Sequence, residues 1–568
     1  MKRQRMFSKG RSMRFAILAM TLATLLGVNS YSPLAASPWK ISSVALPGAS
    51  GVSNNVAFAF DRYVLIAPYA PSNPVEDTLD RSQLDNCFLH LIDTKKPSEG
   101  AAKVKLAASD SKDSQGKVVY YPSRVWFDPD SSTVFIRGTR FEERDGGLEE
   151  IEVLAYLKLN LDNDGKPVFD SNVVIIDIRG VDSDHCSDAP LDFALAHKGG
   201  LLLFTNGASI FSYDLGQGYV YEVDIVPPQY FNEDSKITYL DIDKATDTLI
   251  VCWNKKEKGE GEVVKTTSQL SFYGIDTDGT LPLKKRANAQ NFAEGTYLTA
   301  GSTVAVTPTS VSAKDGTDQL VPNNAYFITN DGSLCQVDFD SEEIPVNVKQ
   351  LRKFDELAQP DSVDGSPRIV KYDAAKRVIG VVKQGFTAQI RRPTNGRPGR
   401  PGSIVRALNA YNAVEQPVVA LVKLGKKNKI VSSRVFVDDF KGEEGLSNFV
   451  YGGDSQWLVS THSGKLYSLS LSNDVAETQM QMMAEIGSRI DYIDYFSVRG
   501  SLVAISSFES DHEGASIRSP GSLVVAKMGD SIKQSQSLGA MILQAIGSQG
   551  SALAAATPSI RRPCNVKR

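Results

Sequence analysis

The 568-residue sequence contains little cysteine, no marked excess of charge of either sign, and few long apolar runs. Its five cysteines are scattered without a CxxC pair, which excludes a disulfide-rich scaffold, because a chain of this length can bury a core without such bridges. An odd number also leaves at least one thiol unpaired within the chain. The formal net charge of -4 gives no electrostatic basis for binding nucleic acid, so we expect no nucleic-acid partner.

The sequence also lacks the local motifs of common catalytic and cofactor sites. It has no GxSxG elbow, no HExxH motif, no P-loop and no GxGxxG turn, and its five histidines lie in unrelated settings. His90 falls in the apolar strand FLHLID, where we interpret it as a structural histidine whose hydrogen bonds are satisfied. We therefore assign no catalytic residue, no cofactor-binding residue, no cofactor and no metal ligand. A site gathered from different repeats would not be visible in one sequence, so catalysis is not excluded.

Two short segments contain metal-ligand residue types. Residues 160–165, NLDNDG, match the first half of a calcium loop, but the twelfth position is Ser171 instead of Glu, so we predict a hairpin turn. Residues 182–188, DSDHCSD, combine His185 and Cys186 with three carboxylates. Neighbouring side chains do not easily reach one zinc ion together, so we assign no metal there.

The N-terminus has the order of an export signal. Residues 1–14 carry six basic and no acidic side chains, residues 15–28 are apolar, and small residues follow near Ala36. This order predicts a Sec-type signal peptide over residues 1–36, without a twin arginine or a lipid-accepting cysteine. No later apolar stretch is long enough to span a bilayer, so we predict a secreted or periplasmic protein without a membrane span after cleavage. An uncleaved anchor or a buried N-terminal helix is the alternative.

One phrase recurs along the chain: an apolar strand, a turn with glycine, a second apolar strand. It reads LLLFTNGASIFSYDL, AYFITNDGSLCQVDF and WLVSTHSGKLYSLSL, and the turn glycines Gly207, Gly332 and Gly464 are 125 and 132 residues apart. Glycine permits the positive φ angles that tight hairpins need. These three phrases predict β-hairpins.

A shorter spacing gives the length of one repeat. Asp214, Asp276 and Asp338, each in the turn region after a second strand of the phrase, follow one another at intervals of 62 residues. The aligned phrases therefore lie about two repeats apart. The sequence shows no long helical periodicity between them, and its short strands are rich in Val, Ile, Tyr and Phe.

Eight such units can be counted, which predicts an all-β fold: a single β-propeller over residues 37–537, with eight blades favoured and seven possible. We expect ISSVAL, from Ile41, to pair with the last unit and cover its open edge. A β-solenoid or two β-sandwiches are the alternatives. Residues 538–568 are predicted to be a flexible tail, or else a sorting signal.

The strand pairs joined by Asp-rich turns resemble the YVTN-repeat and lactonase-like propellers of exported bacterial proteins. FITNDG and LLFTNG come nearest to the Tyr-Val-Thr-Asn phrase, and the Gly-His and Trp-Asp signatures of WD40 repeats are missing. The resemblance covers nearly all of the mature chain. It implies a fold of the WD40-like superfamily and hardly a function.

Two insertions exceed the repeat length and are candidate functional loops. Residues 141–152 are acidic, and residues 390–406 are basic and rich in Gly and Pro, which predicts a flexible or polyproline-like segment. In the basic insertion, guanidinium groups suited to an anion or an acidic partner are carried by Arg391, Arg392, Arg397, Arg400 and Arg406. A solvated loop without a ligand is the alternative.

We therefore predict an exported, monomeric, non-catalytic scaffold that binds an extracellular or periplasmic protein or glycan. The alternative is a lactonase-like propeller hydrolase, with or without a metal ion, whose site lies in the central channel. A cell-surface structural protein is a third interpretation.

Overall fold

The structure is a computed structural model that describes strands and adjoining turns between residues 39 and 528. Residues 1–38 and 529–568 lie outside this description, together with internal segments of which the longest are 69–87, 107–119, 177–191, 224–234 and 388–413. The predicted signal peptide and C-terminal tail thus fall outside the described residues.

The described chain consists of β-strands that form eight sheets of at least four strands each, together with one two-stranded ribbon. The first strand, β1 (Trp39–Ala45), belongs to the last sheet. Sheets 1 to 4 contain β2 (Val52–Ala59), β3 (Tyr63–Pro68), β4 (Phe88–Asp93) and β5 (Ala102–Lys105); β6 (Tyr120–Asp128), β7 (Thr133–Arg144), β8 (Gly147–Leu161), β9 (Pro167–Phe169) and β10 (Val174–Ile176); β11 (Asp192–Leu195), β12 (Leu201–Thr205), β13 (Ile210–Asp214) and β14 (Tyr219–Val223); and β15 (Ser235–Asp243), β16 (Thr248–Lys258), β17 (Val264–Gly274) and β18 (Lys284–Arg286).

Sheets 5 to 8 follow the same plan. They contain β19 (Ala305–Ser312), β20 (Asp318–Ile328), β21 (Ser333–Phe339) and β22 (Pro345–Lys353); β23 (Arg368–Asp373), β24 (Val378–Lys383), β27 (Val418–Leu424) and β28 (Ile430–Phe436); β29 (Leu446–Gly453), β30 (Gln456–Thr461), β31 (Lys465–Ser470) and β32 (Gln479–Glu485); and β33 (Arg489–Phe496), β34 (Ser501–His512), β35 (Ala515–Met528) and β1. The ribbon pairs β25 (Phe386–Thr387) with β26 (Val414–Glu415). Short 3-10 turns occur at Pro97–Glu99, Asp355–Leu357, Lys426–Asn428, Asp438–Phe440 and Val475–Glu477.

Neighbouring strands in each sheet are antiparallel, and the first four strands of most sheets pair in chain order. The second strand is the most apolar because neighbouring sheets cover both of its faces: in β24, VIGVVK, all six residues are buried. In the outer strand β28, IVSSRVF, the first six residues are partly or fully exposed and only the last, Phe436, is buried. Strand composition therefore follows the position of the strand within its sheet.

The sheets pack side by side in a ring. Buried apolar clusters join each sheet to the next from sheet 1 to sheet 7. β29 lies against β33, which joins sheet 7 to sheet 8, and β2 lies against β33 and β34, which joins sheet 8 to sheet 1. The first strands of most neighbouring sheets contact one another, so the first strands line the centre of the ring. The fold is a single all-β propeller.

The two ends of the chain meet in sheet 8. β1 pairs antiparallel with β35, from Trp39 opposite Met528 to Ala45 opposite Ser522. The N-terminal strand therefore covers the edge that β35 would otherwise expose. The predicted pairing of ISSVAL with the last unit is confirmed.

The turns between the second and third strands of the sheets lie at one end of the ring. The Gly207 carbonyl, in that turn of sheet 3, accepts a 2.6 Å hydrogen bond from the Ile237 N–H, where the first strand of sheet 4 begins. The Gln384 carbonyl accepts in the same way from the Leu446 N–H at 2.7 Å, between sheets 6 and 7. We call this end, at which first strands begin, the insertion face.

The three repeated hairpins belong to alternate sheets. Gly207, Gly332 and Gly464 have φ angles of 93°, 81° and 91° and lie in the corresponding turns of sheets 3, 5 and 7. Asp214 and Asp338 lie on the third strands of sheets 3 and 5, so the 62-residue spacing is one sheet. Asp276 is outside the described residues.

Of the three other segments predicted to be turns or loops, one is a tight turn and one belongs to paired strands. Residues 162–166 form a tight turn between β8 and β9, where the Asp162 carboxylate accepts from the N–H groups of Asp164 and Lys166, as expected of a hairpin. The acidic segment 141–152 is not a loop, because β7 and β8 remain paired up to Arg144 and Gly147. Residues 182–188 lie outside the description.

Candidate functional site

The root of the basic insertion lies on the insertion face of sheet 6. Arg391, Arg392, Arg397 and Arg400 themselves fall in 388–413, outside the described residues. On either side of that segment, Phe386 pairs with Glu415 and Thr387 with Val414 in the β25–β26 ribbon. The insertion therefore leaves and rejoins the ring at one place.

A buried ion pair holds this root. Arg368 and Glu415 are both fully buried as side chains, and Arg368 Nη2 donates to Glu415 Oε1 at 2.9 Å. The other carboxylate oxygen of Glu415 accepts from the Ser366 N–H at 2.6 Å. Arg368 also donates to the carbonyls of Leu357 and Ser366, so its fork is occupied. Burial lowers the pKa of Arg368, and the Glu415 charge opposes that shift.

Further hydrogen bonds tie the root to the neighbouring sheet. Ser302 Oγ, just before β19 of sheet 5, accepts from the Arg368 N–H at 2.9 Å. The Ser366 hydroxyl accepts from the Gly385 N–H at 2.9 Å. Because Gln384 in turn bonds to sheet 7, the root belongs to a network across sheets 5, 6 and 7. This network fixes the position of the insertion and offers no nucleophile–base pair.

Lys383 lies beside this network and has few hydrogen-bond acceptors near its ammonium group. It is the last residue of β24, it stands opposite Arg368 in the sheet, and its side chain is 5% exposed. Within the described part of the chain, its ammonium has one hydrogen bond, to the Ala358 carbonyl at 3.5 Å. Burial lowers the pKa of Lys383 to about 8, although Glu415 acts in the opposite direction.

The longer connections between second and third strands, which lie on the insertion face, belong to sheet 1 and to the even-numbered sheets. Hairpins remain paired to Arg144 in sheet 2, to Lys258 in sheet 4 and to His512 in sheet 8, and sheet 6 carries the segment 388–413. Sheets 3, 5 and 7 have the short glycine turns, while sheet 1 has residues 69–87 at this place. Long and short connections therefore alternate along the chain from sheet 2 to sheet 8.

Two of these connections carry opposite charge. Residues 141–152 of sheet 2 contain six acidic side chains and one basic one. Residues 388–413 contain five arginines and no acidic side chain. The insertion face therefore joins a strongly acidic and a strongly basic connection on one rigid ring.

His90 differs from the expectation. It lies on β4 as predicted, is fully buried and packs edge-on against Phe88 with ring centroids 4.9 Å apart. Neither ring nitrogen has a hydrogen-bond partner among the residues that the structure describes, so the interpretation of a satisfied histidine is wrong. Its place between apolar sheet faces supplies no acceptor, and burial lowers its pKa to about 4.

The described cysteines are buried thiols. Cys252 and Cys335 are free and buried, and burial raises their pKa values to about 12. Among the described residues, no three His, Cys, Asp or Glu side chains lie close enough to hold a metal ion. The channel-site hydrolase remains a prediction.

No local sequence pattern marks Arg368, Glu415 and Lys383 as a group. Arg368 begins β23 and Lys383 ends β24, and Glu415 is 47 residues from Arg368 in the chain. A charged residue directly next to an apolar run such as VIGVV was the one available hint, and it cannot reveal a partner.

No helix within the described ranges is both long and apolar enough to cross a membrane. No protein-family model matches the chain, and no curated protein matches its sequence.

Solved structures share its general shape at very low identity. The Dos1 propeller is 10% identical, with 87% of this chain and 96% of that chain covered and a TM-score of 0.44. YCF48 from Cyanidioschyzon merolae is 10% identical, with 87% and 99% covered and a TM-score of 0.37. A streptogramin B lyase is 7% identical, with 86% and 98% covered and a TM-score of 0.33. At this level of similarity these proteins carry no argument about function, and the fold rests on the strand pairing described above.

Proposed function

We propose that the chain is an exported propeller of eight blades that acts as a non-catalytic binding scaffold, and that its insertion face binds an acidic protein or glycan. The ring of eight sheets supports the blade count. The observation that carries the binding role is the buried Arg368–Glu415 network at the root of the basic insertion.

A fixed root matters because a basic segment binds better when its ends are held. Fastening both ends at one place on a rigid sheet removes part of the conformational entropy that a partner would otherwise have to overcome. The guanidinium groups of Arg391, Arg392, Arg397 and Arg400 then pair with carboxylates or sulfates of the partner, bidentately where geometry permits. Such binding weakens as salt concentration rises.

Retention on acidic matrices tests this role. We expect the protein to be retained on immobilised polyglutamate or heparin, and a variant with Ser at Arg391, Arg392, Arg397 and Arg400 to elute at clearly lower salt. The matched control replaces four lysines of the sheet 4 hairpin on the same face, namely Lys255, Lys256, Lys258 and Lys265, with Ser. Equal loss of retention in both variants would show that net charge alone matters and would contradict the proposal.

Export is tested separately. N-terminal sequencing of the mature protein from its native host is expected to begin at Ser37, after cleavage behind Ala36. Retention of residues 1–36 in the mature protein would contradict export by a cleaved signal.

A further inference from the structure

We propose that Lys383 anchors a single carboxylate group at the root of the basic insertion. The inference deepens the proposed function, on which it rests, because an acidic partner bound by the insertion would bring carboxylates to this place. It names the residue that would take one of them into the ring itself.

The carboxylates around Lys383 compensate its ammonium only in part. Arg368 and Glu415 neutralise one another at 2.9 Å, and both Glu415 oxygens already accept hydrogen bonds. Glu356, the other acidic group acting on Lys383, is solvent-exposed. The buried cluster of Arg368, Glu415 and Lys383 therefore carries one net positive charge.

Hydrogen bonding leads to the same conclusion. An ammonium group has three donors, and the Ala358 carbonyl at 3.5 Å is a weak acceptor for one of them. Burying a charged group without partners is costly, so such positions are normally neutralised or paired. A carboxylate would supply both the missing charge and two acceptor atoms.

A neighbouring lysine, Lys423, has a different environment from Lys383. Lys423, on the adjacent strand β27 of the same sheet, is partly exposed and donates to the Lys376 carbonyl. Lys383 is instead almost fully buried and lies next to the ribbon from which the insertion emerges. Lys423 is thus a matched control within one sheet.

The test compares acetate with chloride at equal ionic strength. A bound carboxylate keeps the Lys383 amine protonated, so we expect acetate to slow acetylation of Lys383 by an N-hydroxysuccinimide ester severalfold, read by peptide mass spectrometry. Acetate should also raise the melting temperature of the wild type and of Lys423→Met, and this rise should be lost in Lys383→Met. A second arm uses an N-acetylated diglutamate peptide, and a lower effective concentration for the peptide than for acetate identifies a protein side chain as the source of the carboxylate.

Two results would overturn the inference. One is an acetylation rate at Lys383 that acetate does not change, which is measured on the wild type and needs no variant to fold. The other is an equal acetate-dependent rise in melting temperature in Lys383→Met. Retention of Lys383→Met on polyglutamate would then show that the wider binding role survives the loss of this anchor.

Discussion

His90 is a buried titratable side chain to which the described part of the chain offers no hydrogen-bond partner, and this predicts a pH-dependent stability. Its folded pKa of about 4 lies below the ordinary value of 6.5, so the unfolded chain binds the proton more readily. The contribution of neutral His90 to the free energy of unfolding is fully present above pH 6.5 and is lost as the pH falls towards 4. This loss amounts to roughly 2–3 kcal/mol. We expect His90→Leu to lose less stability than the wild type between pH 7 and pH 4.5 in urea titrations. Parallel pH profiles for the two proteins would contradict this.

The Arg368–Glu415 pair predicts an asymmetric response to substitution. Glu415→Gln leaves a buried guanidinium without its counter-charge, and we expect a loss of about 3–5 kcal/mol in the free energy of unfolding. The double variant Arg368→Met/Glu415→Leu removes both charges and should recover a large part of that loss. Glu99→Gln, which breaks the exposed pair with Lys96, is the control and should change stability little. If the double variant were less stable than Glu415→Gln, the ion pair would not explain the loss.

A glycine in a turn can be required because its φ angle is positive, or because a Cβ atom would collide with neighbouring atoms. Gly332 has a φ angle of 81°, and a Cβ there would also collide with the Phe354 carbonyl and lie 2.8 Å from the Ala358 nitrogen. Gly442 has a φ angle of 86° with no atom within 4 Å of the corresponding Cβ position. We expect Gly442→Ala to cost about 1 kcal/mol from backbone strain alone, and Gly332→Ala to cost clearly more. Chemical denaturation of both variants measures the difference, and equal costs would exclude the collision as a cause.

The hairpins were predictable from the sequence, whereas the network beside them was not. Glycine turns at Gly207, Gly332 and Gly464 are local, so they can be recognised from a few neighbouring residues. The contact of Arg368 with Glu415 depends on a ribbon that returns the chain to the same sheet after residues 388–413. The missing acceptor at His90 likewise depends on packing between sheets, which short-range patterns do not contain.

At the scale of the molecule, the repeat spacing predicted consecutive sheets, and the closing strand was found from its apolar pattern. The alternation of long and short turns on the insertion face was not anticipated, although the phrases two repeats apart already reflect it. That spacing arises because short glycine turns occur on every second sheet. Sheets with long hairpins lack the repeated strand–glycine turn–strand phrase, so an alignment based on that phrase does not detect them.

Ring closure predicts the effect of shortening the N-terminus. A variant beginning at residue 46 loses β1 and exposes the edge of β35 from Ser522 to Met528. We expect a lower melting temperature and light scattering that grows with protein concentration, since an open strand edge pairs with other copies. A variant beginning at residue 39 retains β1 and is the control. Indistinguishable melting and scattering for the two variants would contradict a closing role for β1.

The pairing of β1 with β35 also determines when the ring can close during biosynthesis. The two strands are separated by almost the whole described chain, from Trp39 to Met528, so ribosomes working at ~5–20 residues per second need roughly 25 to 100 seconds to make the second after the first. During that interval β1 lacks its pairing partner β35, and sheet 8 cannot be completed. The nascent chain must therefore be kept from exchanging strands with its neighbours until synthesis has passed Met528.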